Sequence, residues 1–274
     1  MASNDQQKSS RSYLLAVEDT QFLLRDEMRS LRFAMEYGKP ELLLRDWGIR
    51  STIVVFGSAR IPSPEQAEAL LRAAQGAEAV QRAKTRAHLS KWYEEARRFG
   101  RIVSERGGAL ATGRKLRDNV IATGGGPGIM EAANRGAAEV GAPSVGFNIT
   151  LPAEQEPNAY STPDLTFRFH YFAMRKMHLA MRANALAVFP GGFGTLDELF
   201  EILTLQQTRK APHMPVVLFG RKFWSEVLNL DALLNYGMIE PVDLSLFDIV
   251  DDSEEAWSAM LRRGLTAHSD GLPD

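Results

Sequence analysis

Residues 185–198 read ALAVFPGGFGTLDE, and this stretch decides the fold class. The apolar run Ala185–Phe189 is typical of a buried strand, and the turn Pro190–Gly194 that follows it is rich in glycine. Thr195 and Glu198 then open a helical pattern. A strand that ends in glycines and turns into a helix brings unpaired backbone N–H groups and a helix N-terminus to one point, which suits an anion such as phosphate. The stretch therefore predicts an anion-binding turn in an α/β protein.

A second glycine-rich turn, residues 123–128 (TGGGPG), also follows an apolar strand and opens a helix. A third strand, Thr52–Phe56, ends at Gly57-Ser58. Strands alternate with helices and are mostly apolar throughout, so we predict an α/β fold with a doubly wound, Rossmann-like parallel sheet covered by helices on both faces. Ligands bind such sheets beyond the carboxyl ends of the strands, where the strand order switches. We therefore expect the glycine-rich turns to share one edge of the sheet.

The hydrophobic periodicity also places the individual elements and divides the chain. Strands are predicted at 52–56, 119–123, 144–149, 166–172, 185–189, 215–219 and 247–250. Helices are predicted at 64–75, 79–105, 129–140, 174–182, 195–208, 222–236 and 253–262. The expected segments are disordered residues 1–11, an N-terminal helical extension (12–50), a Rossmann-like nucleotide-binding domain (51–264) and a flexible tail (265–274).

The N-terminal extension is predicted to form one amphipathic helix, because apolar residues from Leu14 to Met35 recur at spacings of three and four. The sequence Tyr37-Gly38-Lys39-Pro40 is expected to end it. Two interpretations stay open: the helix packs on its own domain, or its apolar seam contributes to a subunit interface. Segments 112–118, which is basic, and 151–163, which is rich in proline, are predicted to be loops.

Composition limits the class of protein. The chain has 274 residues, 45% of them hydrophobic, and a formal net charge of −2. No global basic field would attract nucleic acid or an acidic membrane surface. Cysteine is absent, which excludes disulfides, thiolate metal sites and a cysteine nucleophile. We find neither a signal-peptide pattern nor an apolar run long enough to span a bilayer, and we expect a soluble cytoplasmic protein without nucleic-acid or membrane partners.

Other nucleotide-binding classes fit poorly. Gly124, Gly126 and Gly128 are spaced G-x-G-x-G, and no acidic residue ends the next strand, so the dinucleotide fingerprint is incomplete. A Walker A lysine does not follow either turn. No metal site is predicted, because the five histidines do not form a close ligand pair; they are His88, His170, His178, His213 and His268.

Three charged residues are expected near the same sheet edge. Arg175 and Lys176 start a predicted helix, where cations interact unfavourably with the helix dipole, and this favours a role in pairing with an anion. Glu198 has two interpretations: it completes a capping box with Thr195, or it acts catalytically. We also expect the helix N-terminus to lower the pKa of Glu198.

The motifs Pro190–Glu198 (PGGFGTLDE), Thr123–Glu131 (TGGGPGIME) and Met174-Arg175-Lys176, in that combination, closely resemble the LOG family over about residues 50–250. Members are cytokinin riboside 5′-monophosphate phosphoribohydrolases that were long labelled lysine decarboxylases. The extension before residue 50 and the context of the Arg-Lys pair look like the longer bacterial branch. The short plant-type form has Met-His-x-Arg-Lys here, whereas His178 follows the pair in this chain.

The resemblance implies hydrolysis of the N-glycosidic bond of AMP or a cytokinin riboside 5′-monophosphate to free base and ribose 5-phosphate. It implies Arg175 and Glu198 as the catalytic pair, and no metal or organic cofactor. It also implies at least a homodimer. The implied phosphate- and nucleotide-binding residues are Ser58, Gly124, Gly125, Gly126, Lys176, Gly191, Gly192, Gly194 and Thr195.

Competing hypotheses are a nucleotide-binding or carrier protein without turnover, and another enzyme of phosphoribosyl compounds. Lysine decarboxylation would require pyridoxal phosphate on a Schiff-base lysine, and nothing in the sequence around Lys176 marks such a site.

Overall fold

The computed structural model describes residues 3–111, 116–151 and 156–266, and in this part of the chain the fold is built on one seven-stranded sheet. The strands are β1 (Thr52–Phe56), β2 (Val120–Thr123), β3 (Ser144–Ile149), β4 (Thr166–Phe169), β5 (Ala183–Val188), β6 (Val216–Phe219) and β7 (Asp248–Val250). Every residue of β1, β2, β3 and β6 is buried, as their almost continuous apolar sequences predict for a sheet covered on both faces.

The strand order is β4-β3-β2-β1-β5-β6-β7, and every neighbouring pair is parallel. The order reverses between β1 and β5, and a crevice forms outside the carboxyl ends of strands at such a switch point. Gly57-Ser58 follows β1, and the turn 190–194 lies just beyond β5. The predicted doubly wound fold is confirmed, and the sheet places the second glycine-rich turn at its switch point.

Helices surround the sheet, as predicted. They are α1 (Asp5–Ser9), α2 (Thr20–Leu23), α3 (Arg29–Asp46), α4 (Pro64–Ala73), α5 (Ala77–Arg106), α6 (Ile129–Glu139), α7 (Phe172–Met181), α8 (Phe193–Gln207), α9 (Arg221–Val227), α10 (Leu230–Asn235) and α11 (Ser253–Arg262). Short 3₁₀ segments occur at Arg11–Tyr13, Asp26–Met28, Pro163–Leu165 and Pro241–Leu246. The helix predicted at 222–236 is therefore two helices, α9 and α10.

The two faces of the sheet are covered by different helices. On one face, Phe99 of α5 packs edge-on against Phe189 and Phe219, with ring centroids 6.5 and 5.6 Å apart. On the other face, Leu179 of α7 and Ile202 of α8 adjoin apolar residues of β1 and β5. Helices α7 and α8 thus lie side by side above the switch point.

The N-terminal extension differs from its prediction. The region 14–35 is broken into α2, a 3₁₀ turn and the start of α3, and α3 continues through Gly38 and Pro40 to Asp46. Pro40 cannot donate a backbone hydrogen bond to the carbonyl of Glu36. That carbonyl instead lies 3.2 Å from Nε2 of His178, so a tertiary contact replaces the missing helical bond. Leu31 and Met35 stay exposed on the outer side of α3.

The structure tests few of the expected segment boundaries. Helix α1 lies within the segment 1–11 and is fully exposed, so the expectation of disorder there stays a prediction. Leu265 is buried, and the carbonyl of Thr266 accepts a hydrogen bond from Asn119, so the ordered chain reaches at least two residues into the expected tail. Residues 267–274, and parts of the two predicted loops (112–115 and 152–155), lie outside the described residues.

No helix among the described residues is both long and apolar enough to cross a membrane.

Candidate functional site

The turn at residues 190–194 presents backbone N–H groups that no acceptor in the described part of the chain engages. Helix α8 begins at Phe193 with Gly192 as its N-cap, and the N–H groups of Thr195 and Leu196 both donate to the carbonyl of Gly192. Within the described residues, the N–H groups of 191–194 have no acceptor. Four free donors at the start of a fifteen-residue helix are an arrangement that suits an anion.

The glycines of this turn differ in the steric reason for which a side chain is absent. A Cβ atom at Gly191 would lie 2.1 Å from Oγ1 of Thr195, so glycine lets Thr195 pack against the turn. At Gly192 and Gly194, by contrast, an added Cβ would meet nothing within 4 Å, and neither residue has a positive φ. Their side-chain-free backbone leaves open space beside the turn that carries the free N–H groups.

The turn at residues 123–128 is closed by its own hydrogen bonds. The N–H of Gly125 donates to Oγ1 of Thr123, and the carbonyls of Gly125 and Gly126 accept from the backbone N–H and the Nδ2 of Asn158. Gly125 and Gly128 have φ values of +69° and +71°. These bonds fix the carbonyls of Gly125 and Gly126 and the N–H of Gly125, while the N–H groups of Gly124, Gly126 and Gly128 have no acceptor among the described residues.

Ser58 joins the two turns through its backbone. Its N–H donates to the carbonyl of Pro190 at 3.1 Å, and its carbonyl accepts from the N–H of Ile129 at 3.2 Å. Its hydroxyl accepts from the N–H of Arg60. Ser58 therefore links the turn at 190–194 to the start of α6, and its assignment to nucleotide binding stays a prediction.

Arg175 reaches across this edge from α7. Its Nε donates to the carbonyl of Phe147 at 2.7 Å, and its Nη1 lies 4.0 Å from Oε1 of Glu198. A Cβ at Gly124 would lie 2.4 Å from Nη2 of Arg175, so glycine at 124 makes room for the guanidinium. Burial lowers the pKa of Arg175, and the nearby Glu198 carboxylate partly opposes that effect.

Glu198 lies one turn into α8 and is only 5% exposed. The capping-box interpretation is wrong, because α8 starts at Phe193, so Thr195 is already inside the helix and no side chain caps its N-terminus. The expected lowering of the pKa of Glu198 is wrong as well. Burial raises the pKa of Glu198 to about 7, although the charges of Lys176 and Arg175 act in the opposite direction. Removal of the carboxylate from water outweighs the helix dipole and both cations.

Lys176 lies beside the site but is already paired. Its Nζ is 2.8 Å from Oδ2 of Asp197 and 3.0 Å from Oε2 of Glu201, both on α8. Burial alone would lower the pKa of Lys176, but the hydrogen bonds to these two carboxylates outweigh it and raise the pKa. Asp197 and Glu201 thereby tie α7 to α8. The assignment of Lys176 to phosphate binding stays a prediction, and this geometry does not support it.

Two contributors to the site were missed in the sequence. Asn158, in the predicted loop 151–163, holds the turn at 123–128, and a single asparagine in a loop carries no sequence signal for such a role. The carbonyl of Phe147 orients Arg175, and a backbone acceptor is invisible in side-chain patterns. Among the described residues, no three His, Asp or Glu side chains cluster as a metal site.

Known proteins are similar to this chain in sequence. A model of the family described as "possible lysine decarboxylase" matches residues 130–260, which include Arg175, the turn at 190–194 and Glu198. The chain is also 28% identical over 149 residues to the probable cytokinin riboside 5′-monophosphate phosphoribohydrolase LOGL5 of Oryza sativa subsp. japonica. That match covers 52% of this chain and 59% of the rice protein, so it spans little more than half of that relative's length.

Two solved structures are similar at low sequence identity. The X-ray structure of the structural-genomics target TM1055 is 18% identical, with a TM-score of 0.48, and the match covers 77% of this chain and 99% of that chain. The molybdenum cofactor binding protein from the phototrophic bacterium Rippkaea orientalis is 17% identical, with a TM-score of 0.46, and covers 79% and 99%. At these TM-scores neither likeness carries an argument here.

The family match contains the paired side chains and the open turn, and the rice relative bears the LOG name that the motifs indicated. Both matches support membership of the LOG family.

Proposed function

We propose that this protein is a nucleoside 5′-monophosphate phosphoribohydrolase. It would hydrolyse the N-glycosidic bond of AMP or of a cytokinin riboside 5′-monophosphate, giving the free base and ribose 5-phosphate. The observation that carries the proposal is the buried Glu198 carboxylate, which faces Arg175 at 4.0 Å one helical turn beyond the free N–H groups of residues 191–194. The rice relative, whose name states this activity, supports the same assignment.

The open turn supplies the phosphate site in this proposal. The N–H groups of residues 191–194 would donate to the phosphate oxygens, and the N-terminal end of α8 would favour their negative charge. No lysine is needed there, because charge-assisted hydrogen bonds from backbone N–H groups are sufficient to hold a phosphate. With the phosphate anchored on the turn, the ribose would lie over the first turns of α8, beside Glu198.

Glu198 has the properties that glycosidic hydrolysis requires. Cleavage builds positive charge on the ribose ring, and an ionised carboxylate beside the ring stabilises it. A water oxygen bonds to C1′ while the C1′–N bond breaks and its electron pair goes to the base. Glu198 accepts a proton from that water, the departing base takes up a proton from solvent, and Glu198 then releases its own proton to solvent. A pKa of about 7 suits a general base at neutral pH, because the group is substantially ionised yet basic enough to take the proton.

Arg175 supports this carboxylate from the opposite side. Its guanidinium is fixed by the bond from Nε to the Phe147 carbonyl, so its Nη groups point at the space next to Glu198. Its positive charge lowers the pKa of Glu198 against the effect of burial and so raises the ionised fraction at neutral pH. The separation of 4.0 Å exceeds a hydrogen bond and leaves the carboxylate available to substrate or water.

Lysine decarboxylation, which the description of the matched family model suggests, does not fit these residues. That reaction would need pyridoxal phosphate bound to a lysine as a Schiff base, which forms from the neutral amine. Lys176 lies beside the site, and its ion pairs with Asp197 and Glu201 raise its pKa and favour the charged ammonium. The residues around Lys176 therefore do not fit the cofactor.

The proposal extends to a homodimer or larger homo-oligomer that works in the cytoplasm without a nucleic-acid or membrane partner. Three exposed phenylalanines provide apolar surface for a second copy: Phe172 on α7, and Phe193 and Phe200 on α8. Phe193, at the start of α8, is 92% exposed. Light scattering of the purified chain tests the assembly, and a monomer at micromolar concentration would contradict it.

The function is tested with AMP and N6-isopentenyl-AMP, incubated with wild type, Glu198→Gln and the surface control Glu78→Gln. Free base and ribose 5-phosphate are followed by chromatography. We expect both products from wild type and from Glu78→Gln, and almost none from Glu198→Gln. Binding of both nucleotides in calorimetry without product from either would contradict the enzyme and establish a nucleotide-binding protein.

A further inference from the structure

We propose that Glu36, in the N-terminal extension, is a positioning residue that holds α7 so that Arg175 faces Glu198. This inference rests on the proposed function, because it assigns Glu36 a role in the same reaction. Glu36 lies on α3, far from the glycine-rich turns in sequence, and contacts α7 twice, through its side chain and through its backbone.

The side chain of Glu36 holds the beginning of α7. One carboxylate oxygen accepts the backbone N–H of His170 at 2.9 Å, and the other accepts that of Tyr171, the N-cap residue, at 3.2 Å. No side chain of α7's own N-cap performs this role. A carboxylate is favourable at this end of a helix because it faces the positive end of the helix dipole.

The backbone carbonyl of Glu36 holds the same helix two turns later. Because residue 40 is proline, this carbonyl has no donor within α3, and it lies 3.2 Å from Nε2 of His178. His178 is buried, and burial lowers its pKa, so its neutral form donates from Nε2. Its ring stacks on Phe147, with centroids 6.1 Å apart, and the Phe147 carbonyl is the acceptor that orients Arg175.

Arg175 lies between these two contacts. Its backbone N–H donates to the carbonyl of Tyr171 at 3.2 Å, so a rotation or shift at the start of α7 moves Arg175 directly. Its guanidinium is held to Glu198 only across 4.0 Å and to the carbonyl of Phe147 by one bond. Small displacements of such groups change reaction rates strongly.

Other contacts keep α3 in place when the carboxylate of Glu36 is altered. Arg182, at the end of α7, pairs with Glu41, and Nε of Arg32 donates to the Tyr171 hydroxyl at 3.0 Å. The ring of Phe33 packs against that of Tyr171, with centroids 4.2 Å apart. A substitution confined to the Glu36 carboxylate therefore loosens the start of α7 without detaching the extension.

The test compares Glu36→Gln with Glu18→Gln, an exposed acidic residue of the same extension. Glutamine keeps the length of the side chain but replaces one acceptor by an NH₂ group, which cannot accept from a backbone N–H. We expect kcat for base release to fall about 10- to 100-fold in Glu36→Gln, with KM and the affinity for ribose 5-phosphate within twofold of wild type. Glu36→Asp, which keeps the charge, should recover part of the rate, and Glu18→Gln should match wild type.

The pH profile provides a readout that a purely structural role would not move. The charges facing Glu198 are Arg175 and Lys176 from α7 and Asp197 and Glu201 from α8. If Arg175 moves away, Glu198 loses a cation, and the limb of the kcat/KM profile near pH 7 shifts to higher pH in Glu36→Gln. An unchanged kcat, or a parallel loss of thermal stability and ribose 5-phosphate binding, overturns the proposal.

A second measurement separates this proposal from the proposed function. In ¹⁵N NMR spectra the Nε–H of Arg175, identified by its loss in Arg175→Lys, reports its bond to the Phe147 carbonyl. We expect this signal to shift and exchange faster in Glu36→Gln but not in Glu18→Gln. A wild type that releases no base overturns the function, while the Arg175 signal still decides whether Glu36 positions it.

Discussion

The two glycine-rich turns, residues 123–128 and 190–194, differ in where their hydrogen bonds go. In the first turn, the N–H of Gly125 is bonded to Thr123 and the carbonyls of Gly125 and Gly126 are bonded to Asn158, and Gly125 and Gly128 have positive φ values. In the second turn, the N–H groups of 191–194 find no acceptor among the described residues. Glycine therefore serves backbone conformation in the first turn, whereas in the second turn Gly191 serves close packing and Gly192 and Gly194 leave open space.

A carboxylate follows each turn, and the comparison extends to these residues. Glu131, in the first turn of α6, accepts a hydrogen bond from the buried Tyr93 hydroxyl at 2.7 Å. Glu198, one turn into α8, is buried with a raised pKa of about 7 and no hydrogen bond to a neighbouring residue in the described chain. Similar sequence patterns thus produce a carboxylate engaged in packing and a carboxylate free for chemistry.

The strongest test substitutes these two carboxylates in parallel. We expect Glu198→Gln to reduce base release about 100- to 10,000-fold, because it removes both the negative charge and the proton acceptor. Glu131→Gln keeps an oxygen for the Tyr93 hydroxyl and should stay within about threefold of wild type. Rates of adenine release from AMP measure both, and equal losses in the two variants would remove the distinction between the turns.

A second test concerns the conformational role of glycine in the first turn. A Cβ at Gly128 would lie 2.5 Å from the carbonyl oxygen of Ser58, and its φ is +71°. We expect Gly128→Ala to destabilise folding by about 3 kcal/mol or more, because backbone strain and a backbone clash add. Gly192→Ala, with open space and a negative φ, should change stability by less than about 1 kcal/mol. Urea unfolding measures the stability of the two variants. A larger loss in Gly192→Ala than in Gly128→Ala would contradict the conformational role of Gly128.

A third test concerns the burial of Glu198. Its folded-state pKa of about 7 lies above the ordinary 4.5, so the folded state binds this proton more tightly than the unfolded chain. That contribution to stability is complete below about pH 4.5 and is lost as the pH rises through 7. Relative to Glu198→Gln, wild type should therefore lose about 2–3 kcal/mol of unfolding free energy between pH 5 and pH 8. A constant difference in denaturant midpoints across this range would show that Glu198 is not desolvated.

The smallest expected effect concerns access to the second turn. In Gly192→Ala and Gly194→Ala, a methyl group enters the open space beside the turn that carries the free N–H groups. We expect the affinity for ribose 5-phosphate to fall about tenfold, which corresponds to about 1.4 kcal/mol. Gly38→Ala, equally open but located in α3, is the matched control and should bind as wild type does. Calorimetry measures all three, and unchanged binding in both turn variants would place the phosphate elsewhere.

Much of the sheet was predictable because its strands are buried on both faces and almost wholly apolar. Thr52–Phe56 matches β1 residue for residue. The edges of helices were less predictable: α8 begins two residues before Thr195, because the turn itself supplies the N-cap at Gly192. Helix α3 passes Pro40, because His178 replaces the donor that proline lacks. In both places a contact outside the local sequence overrode the local signal.

The site shows the same division. The types and spacing of Arg175, Glu198 and the glycines could be read from the sequence, because strand order brings carboxyl ends to one edge. The shift in the pKa of Glu198 could not be read from the sequence. Its direction depends on how much water the fold removes from the carboxylate, and the sequence indicated only the helix dipole. The pairing of Lys176 with Asp197 and Glu201 could not be read from the sequence either, because it depends on α7 and α8 lying side by side.

The sequence by itself determined the parallel sheet, the position of the glycine-rich turns at its edge and the identity of the two charged side chains near them. These follow from apolar patterning and from short motifs, which act locally along the chain. Only the tertiary structure decided which turn is held by a distant loop residue, which carboxylate is desolvated and which helix holds Arg175 in place. Those properties depend on hydrogen-bond partners and on excluded water, and both come from residues distant in the chain.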